Sequence, residues 1–124
     1  MARLGYATVG SNDLAAAKAF YDALFGSCGV TPTLEHESGG RVYGKDGRPF
    51  FAVLGPHNKE RATPGNGAMI ALNFDTRADV DAFYTTALAL GGTDEGAPGL
   101  RRPNIYFAYF RDLDGNKLCA YCVG

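Results

Sequence analysis

Two cysteines near the end of the chain, Cys119 and Cys122, have the CxxC spacing of redox pairs and zinc sites. They fall in a segment with the pattern of a strand, whereas a redox CxxC begins a helix whose dipole lowers the thiol pKa. A zinc site would need a second pair of ligands, and the sequence has no other CxxC and no HxxxH. We therefore predict that Cys119 and Cys122 are buried thiols, as free cysteines commonly are.

The elements that position these residues occur in the same order twice. In each half of the chain, a short apolar strand leads to a capped helix with one apolar face, and glycine ends that helix. Strands follow, separated in the first half by the hairpin dipeptides Gly39-Gly40 and Asp46-Gly47. The predicted helices and strands are residues 5–9, 14–25, 31–36, 41–45, 49–54, 68–74, 77–90, 104–110 and 116–123. A loop is predicted around Ala97-Pro98-Gly99.

This repeated order predicts an α+β fold in which two βαβββ modules pair into a cupped mixed sheet. Module one covers about residues 1–55, a polar linker rich in Gly and Pro covers 56–67, and module two covers about 68–124. A helix covers only one face of each sheet, so pairing the two sheets would build a cavity between them. The 124 residues are the length of one domain.

Composition excludes several classes of partner. The formal charge is −1 and the pI about 6.1, with no basic patch that would favour nucleic acid or an anionic membrane. The chain has no apolar run long enough to span a bilayer and no targeting segment. Its three cysteines, an odd number, suggest reduced thiols. We therefore expect a cytoplasmic protein with no membrane or nucleic-acid partner.

Several segments carry a family resemblance. Residues 6–21 contain the pattern YATVGSNDL…FY, and residues 112–118 contain DLDGNKL. The glycine-rich stretches 65–67 and 91–99 flank the second predicted helix. In this order, they resemble short bacterial members of the vicinal-oxygen-chelate superfamily of glyoxalases, bleomycin resistance proteins and extradiol dioxygenases. The resemblance implies the paired-module fold and, because such members are commonly homodimers, an isologous homodimer.

The family's enzymes hold a divalent metal with His and Glu side chains from four strands, and the metal acts as a Lewis acid on vicinal oxygens. The resemblance places Tyr6, Met69 and Cys119 at three of those positions. The fourth should lie in residues 49–54, which contain no His, Asp or Glu. A hard divalent ion prefers carboxylate, imidazole or water, and the three side chains present would suit only a soft, copper-like ion. We therefore expect no metal and no cofactor.

The same alignment predicts which side chains line the cup, since alternate residues of a strand share a face. These residues are apolar, aromatic or weakly polar: Tyr6, Thr8, Phe51, Met69, Asn73, Cys119 and Tyr121. Aromatic residues of the strand 104–110 are expected to reach the pocket or a subunit contact. Such a lining suits a small apolar or aromatic molecule, so we predict a protein that binds such a molecule. The sequence identifies no catalytic residue.

Two alternatives stay open, and with them the question of whether the protein is an enzyme. The first is a lactoylglutathione-lyase-like lyase or a dioxygenase relative whose metal ligands lie elsewhere, which rests on the resemblance alone. The second is a structural protein without a ligand, in which Met and Tyr side chains fill the cup as core.

Overall fold

The protein folds as two consecutive βαβββ modules, and the computed structural model describes all residues 1–124. Module one consists of β1 (Ala7–Gly10), α1 (Leu14–Gly26), β2 (Thr31–Glu35), β3 (Arg41–Lys45) and β4 (Arg48–Leu54). Module two consists of β5 (Ile70–Asn73), α2 (Arg77–Ala89), β6 (Thr93–Arg102), β7 (Ile105–Arg111) and β8 (Lys117–Val123). The predicted α+β fold is confirmed.

Each module contains its own four-stranded sheet, and the two sheets have the same internal order. The first sheet is ordered β1-β4-β3-β2 and the second β5-β8-β7-β6. In both sheets, the first strand runs parallel to the last, and the remaining pairs are antiparallel. The crossover after β1 and after β5 is the helix, which therefore covers one face of its own sheet.

Both helices begin at the cap residues that the sequence offers. The Asp13 side chain accepts a hydrogen bond from the Ala16 backbone N–H at 3.1 Å. The Thr76 hydroxyl accepts one from Asp79 at 3.0 Å. Each bond satisfies a donor that the first helical turn leaves free. Neither helix has the length and hydrophobicity that crossing a bilayer requires.

The predicted loop around Ala97-Pro98-Gly99 is wrong, because these residues lie inside strand β6. β6 is an edge strand that pairs only with β7, and its register shifts at several points along the pair. An edge strand tolerates proline, since one row of its N–H groups has no partner to lose. The irregular register also explains why no alternating pattern marks this strand in the sequence.

The helix-covered faces of both sheets share one core of 18 buried residues. α1 and α2 contact each other, and the rings of Phe25 and Phe83 lie 6.2 Å apart across this contact. The opposite, uncovered faces are partly exposed. We call them open face A, on the first sheet, with Thr8, Val42 and Ala52, and open face B, on the second, with Ala71, Asn73, Phe107, Tyr109, Cys119 and Tyr121.

A buried polar network joins the modules at one end of the core. The Tyr21 hydroxyl on α1 donates to Asp112 Oδ2 at 2.6 Å, and Asn116 Nδ2 donates to the same oxygen at 2.9 Å. Asn116 Nδ2 also donates to the Gly10 carbonyl at 2.9 Å. Burial and the adjacent Asp112 raise the pKa of Tyr21 well above its ordinary value, so the hydroxyl stays a donor.

The linker between the modules is fixed to module one near its middle. Asn12 Nδ2 donates to the Ala62 carbonyl at 2.9 Å, and the Ala62 N–H donates to Asn12 Oδ1 at 2.8 Å. Gly10 makes this approach possible, since a Cβ at that position would lie 2.9 Å from the Ala62 Cβ. The Asn12 N–H donates to Asp114 of module two at 2.9 Å, so one residue contacts both modules and the linker.

Candidate functional site

Strand register brings three of the predicted site residues together on open face B. Asn73 lies opposite Tyr121 in the parallel pair of β5 and β8. Cys119 lies between Ala71 on one side and Tyr109 on the other. Their neighbours along each strand, including Leu72 and Ala120, face α2, so the alternation of the two strands is as the sequence predicted.

The predicted residues of β1 and the start of β5 are exposed. Thr8 pairs with Ala52 on open face A. Tyr6 and Met69 lie just before their strands and are 56% and 45% exposed. These side chains contribute apolar surface at the edge of each open face, without forming an enclosed pocket in the single chain.

Phe51 was predicted to line the site, and the structure corrects this assignment. Its register partner is Ala7, which places it on the helix-covered face. Its ring lies 4.8 Å from the ring of Tyr21 and 5.0 Å from that of Phe25, and it is fully buried. Parity along β4 explains the error: the residue that shares a face with Thr8 is Ala52, one position later.

Open face B carries a layer of aromatic rings. Phe107 and Tyr109 are two positions apart on β7 and therefore share the face, with ring centroids 5.7 Å apart and an interplanar angle of 9°. Tyr121 on β8 lies opposite Phe107, at 5.8 Å between centroids. All three side chains are half-buried, so part of each ring is accessible to solvent or a ligand.

Cationic groups lie over this layer. The Arg101 guanidinium lies 5.8 Å from the centre of the Tyr109 ring, and Lys117 Nζ lies 5.2 Å from it. Gly96 and Gly99 leave room for Arg101, because a Cβ at either position would come within 3.2 Å or less of its guanidinium nitrogens. The aromatic layer is therefore apolar at its centre and positive at its edge.

Cys119 lies beneath the layer and is not suited to act as a nucleophile. Its side chain is fully buried although it points toward open face B. Burial raises the pKa of its thiol to about 11, with nearby Lys117 acting weakly in the opposite direction. At neutral pH the thiol is protonated, and the nucleophilic form of cysteine is the thiolate.

The side chains present do not fit the divalent metal that the fold suggests. No three His, Cys, Asp or Glu side chains converge in a way that would hold an ion. The ring Nδ1 of His36 lies 2.9 Å from the Ser38 hydroxyl and accepts from the Ser38 N–H at 3.1 Å. His57 is exposed in the linker. Since neither histidine belongs to a group of converging ligands, no reaction step through a metal follows from this donor set.

Two cavities stand out, and neither includes Tyr6, Thr8, Met69, Cys119 or Tyr121. One, of about 390 Å³, lies between the modules on the helix side, and Asn73 reaches it from the end of β5. The other is a polar groove of about 900 Å³ that includes His36 and His57. The sequence predicted one cup within the chain, whereas the structure divides the predicted lining between two separate faces.

The family model described as "Glyoxalase/Bleomycin resistance protein/Dioxygenase superfamily" matches residues 3–120. The chain is also similar to a glyoxalase/bleomycin resistance protein from Albidiferax ferrireducens T118, with 38% identity and a TM-score of 0.88. That comparison covers 98% of each chain. No protein with a curated description matches the sequence.

More distant structures share the fold. A glyoxalase/bleomycin resistance protein/dioxygenase family enzyme from Burkholderia phytofirmans PsJN is 22% identical, with a TM-score of 0.79 over 99% of this chain and 100% of the other. A lactoylglutathione lyase from Agrobacterium tumefaciens is also 22% identical, with a TM-score of 0.72 over 98% of this chain and 94% of the other. At these identities the similarity concerns architecture alone.

Proposed function

Because the chain belongs to the glyoxalase/bleomycin resistance protein/dioxygenase superfamily, we propose that it binds a small apolar or aromatic molecule on open face B without a metal. The observation that supports this most directly is the aromatic layer of Phe107, Tyr109 and Tyr121. These partly exposed rings, with centroids 5.7 and 5.8 Å apart, offer aromatic and apolar contact to a ligand.

The donor set supports metal-independent binding over the family's metal chemistry. The lyase and dioxygenase alternatives require carboxylate or imidazole ligands on the open faces. The side chains there include Thr8, Asn73, Cys119 and aromatic rings, the Glu95 carboxylate is ion-paired with Arg111, and no cluster of three possible metal ligands forms anywhere in the chain. Binding through ring stacking and apolar contact is the chemistry that remains to these residues.

We further propose a homodimer in which a second copy covers the open faces. Half-exposed apolar side chains lie on or beside both faces, among them Tyr6, Met69 and Leu34. A surface of this kind typically marks an interface rather than free solvent-facing sheet. Open face A of one copy against open face B of another would enclose the aromatic layer and complete a cup that the single chain leaves divided.

The ligand proposal is tested with the fluorescent aromatic probe 1-anilinonaphthalene-8-sulfonate, titrated into native protein at neutral pH. Tyr121→Ala removes one ring of the layer and should weaken binding about two- to tenfold, since an aromatic pair contributes roughly 0.5–1.5 kcal/mol. The matched control is Tyr84→Ala, another half-buried tyrosine of module two, whose hydroxyl donates to Asp94 away from the open face. Equal loss in both variants would place the probe elsewhere.

Metal independence is tested in the same titration. Treatment with EDTA should leave probe affinity unchanged, and elemental analysis of untagged protein should find no stoichiometric metal. Metal present at one equivalent per chain, together with loss of binding on chelation, would contradict the proposal and favour the lyase or dioxygenase alternative. Absence of probe binding by the native protein would favour the structural role.

The dimer proposal is tested by light scattering during size exclusion. We expect twice the chain mass of 13.2 kDa for the native protein. Met69→Glu should shift the equilibrium toward the monomer, because it places a charge beside open face B. Leu113→Glu is the matched control, since Leu113 is also 45% exposed and lies in the turn between β7 and β8. A native monomer, or equal dissociation in both variants, would refute the proposed interface.

A further inference from the structure

The cavity between the modules has the features of a second binding site, separate from open face B. Its volume of about 390 Å³ is within the range of small-molecule sites. Residues of both modules line it, on the side where the helices share a core. None of the aromatic layer residues on open face B takes part in it.

Four phenylalanines, two from each module, form an apolar wall in this cavity. Their rings follow one another from Phe50 through Phe25 and Phe83 to Phe74, with centroid separations of 5.8, 6.2 and 4.9 Å. Phe25 and Phe83 are buried, whereas Phe50 remains 37% exposed. The wall is therefore fixed at its base and accessible at its edge, which suits an aromatic or alkyl group.

The cavity is also lined by charged side chains that lack ionic partners. Asp75 and Asp79 lie at the beginning of α2, and Lys45 lies at the end of β3. None of the three takes part in an ion pair within the protein. Two carboxylates outweigh one ammonium group and the partial positive charge at the N-terminus of α2, so the lining remains negative and favours a cation over an anion.

Cys28 provides a reporter inside this cavity. It is partly exposed, whereas Cys119 and Cys122 are 0% and 1% exposed. Burial raises the pKa of its thiol, and nearby Lys45 and Asp79 act on it in opposite directions. The thiol is therefore neutral near pH 7 and would not compete for a cation.

From these features, we propose that the cavity between the modules binds a small organic ammonium ion, its apolar group against the phenylalanine wall and its charge beside Asp75 and Asp79. The two parts of the site reinforce each other. The phenylalanine wall offers aromatic and apolar contact to the organic group, and the unpaired carboxylates attract the charge. A neutral molecule of the same shape would use only the wall.

The test compares 2-phenylethylamine with its neutral counterpart 2-phenylethanol and the anion 3-phenylpropionate, by calorimetry at neutral pH and low salt. We expect the amine to bind about five- to tenfold more tightly than the alcohol, and the anion more weakly than both, since exposed charge pairs have modest strength. The double variant Asp75→Asn/Asp79→Asn should remove the preference for the amine. Glu37→Gln/Glu60→Gln makes the same charge change outside the cavity and should preserve it.

The position of binding is tested by alkylation of Cys28 with iodoacetamide. Saturating amine should slow this reaction, and Tyr121→Ala should leave the protection intact because that side chain lies on open face B. Equal affinity for amine and alcohol, or no measurable binding of the amine, would overturn the proposal. Tight amine binding with unchanged Cys28 reactivity would overturn it as well, because the amine would then occupy a different site.

Discussion

The polar network between the modules makes a prediction about stability that Tyr21→Phe tests. The substitution removes one hydroxyl and leaves the ring contacts of Tyr21 with Phe25 and Phe51 in place. The buried Asp112 carboxylate would lose its 2.6 Å donor while keeping bonds from the Asn116 side chain and from two backbone N–H groups. A hydrogen bond to a charged group contributes roughly 1.5–3 kcal/mol, and Asp112 keeps its other donors, so we expect a loss of about 2 kcal/mol.

For a chain of 124 residues, this loss corresponds to a decrease in Tm of about 5–10 °C, taking the usual unfolding entropy per residue. Urea denaturation followed by circular dichroism gives the free energy directly. The matched control is Tyr43→Phe: Tyr43 is equally buried, but its hydroxyl donates to Asp22, which is 40% exposed and keeps its ion pair with Arg41. We expect that variant to lose about 0.5–1 kcal/mol.

The pH dependence of the Tyr21→Phe effect gives a second readout. Burial and Asp112 raise the pKa of Tyr21 in the folded protein, whereas an unfolded tyrosine ionises near pH 10. The contribution of the hydroxyl is therefore complete below pH 10 and declines as the pH rises further, so the difference between native protein and variant should narrow there. Equal losses for Tyr21→Phe and Tyr43→Phe at pH 7 would refute the idea that the buried carboxylate depends on this donor.

Three further predictions concern single features of the chain. At pH 8, iodoacetamide should modify Cys28 and leave Cys119 and Cys122 unmodified until urea unfolds the protein. Both of these cysteines are buried, and burial raises the pKa of the Cys119 thiol to about 11. Peptide mass spectrometry identifies the modified cysteines, and modification of Cys119 before unfolding would contradict its burial. The hydrogen bond from Arg41 lowers the pKa of Glu35 to about 2. Any difference in unfolding free energy between native protein and Glu35→Gln at pH 6 should therefore disappear as the pH falls from 4.5 to 2. A difference that persists at pH 2 would show that it does not come from the Glu35 charge. Gly26→Ala should stabilise α1 by about 0.5–1 kcal/mol, because alanine favours a helix and open space surrounds that position. Gly40→Ala should strongly destabilise the protein, because its Cβ would collide with the backbone of Val53 and Leu54. Thermal denaturation of both variants measures this contrast, and equal effects would contradict it.

The sequence predicted the fold well because the signals for it are local. Asp13 and Thr76 mark the helix starts, and short, nearly continuous apolar runs mark β4, β5 and β8. β6 was missed in the sequence, since an irregular edge strand containing Pro98 has neither alternation nor a continuous apolar run. Its existence depends on pairing with β7, which is a tertiary interaction.

The candidate site was predicted less completely, because it depends on register and on module placement. Alternation along β5 and β8 correctly placed Asn73, Cys119 and Tyr121 on one face of the second sheet. Phe51 of β4 was assigned to the open face of the first sheet, but it lies one position away from that face and points to the helix-covered side. The cationic edge formed by Arg101 and Lys117 was not foreseen, since Arg101 reaches Tyr109 from a strand that the sequence did not reveal. The sequence placed the apolar side of each sheet under its helix, but it did not indicate that the two modules would share one core there.

The attachment of the linker at Ala62 has a consequence for how two chains could exchange parts. Were module two to leave its own module one and settle on another chain's, both bonds between Asn12 and Ala62 and the contact of Asn12 with Asp114 would have to open first. While Ala62 stays bonded to Asn12, only the part of the linker after Ala62 is free to extend. That part is too short to reach a distant module, since an extended chain advances at most about 3.5 Å per residue. Intertwined dimers should therefore form slowly from folded monomers, and an Asn12→Ala chain should interconvert faster.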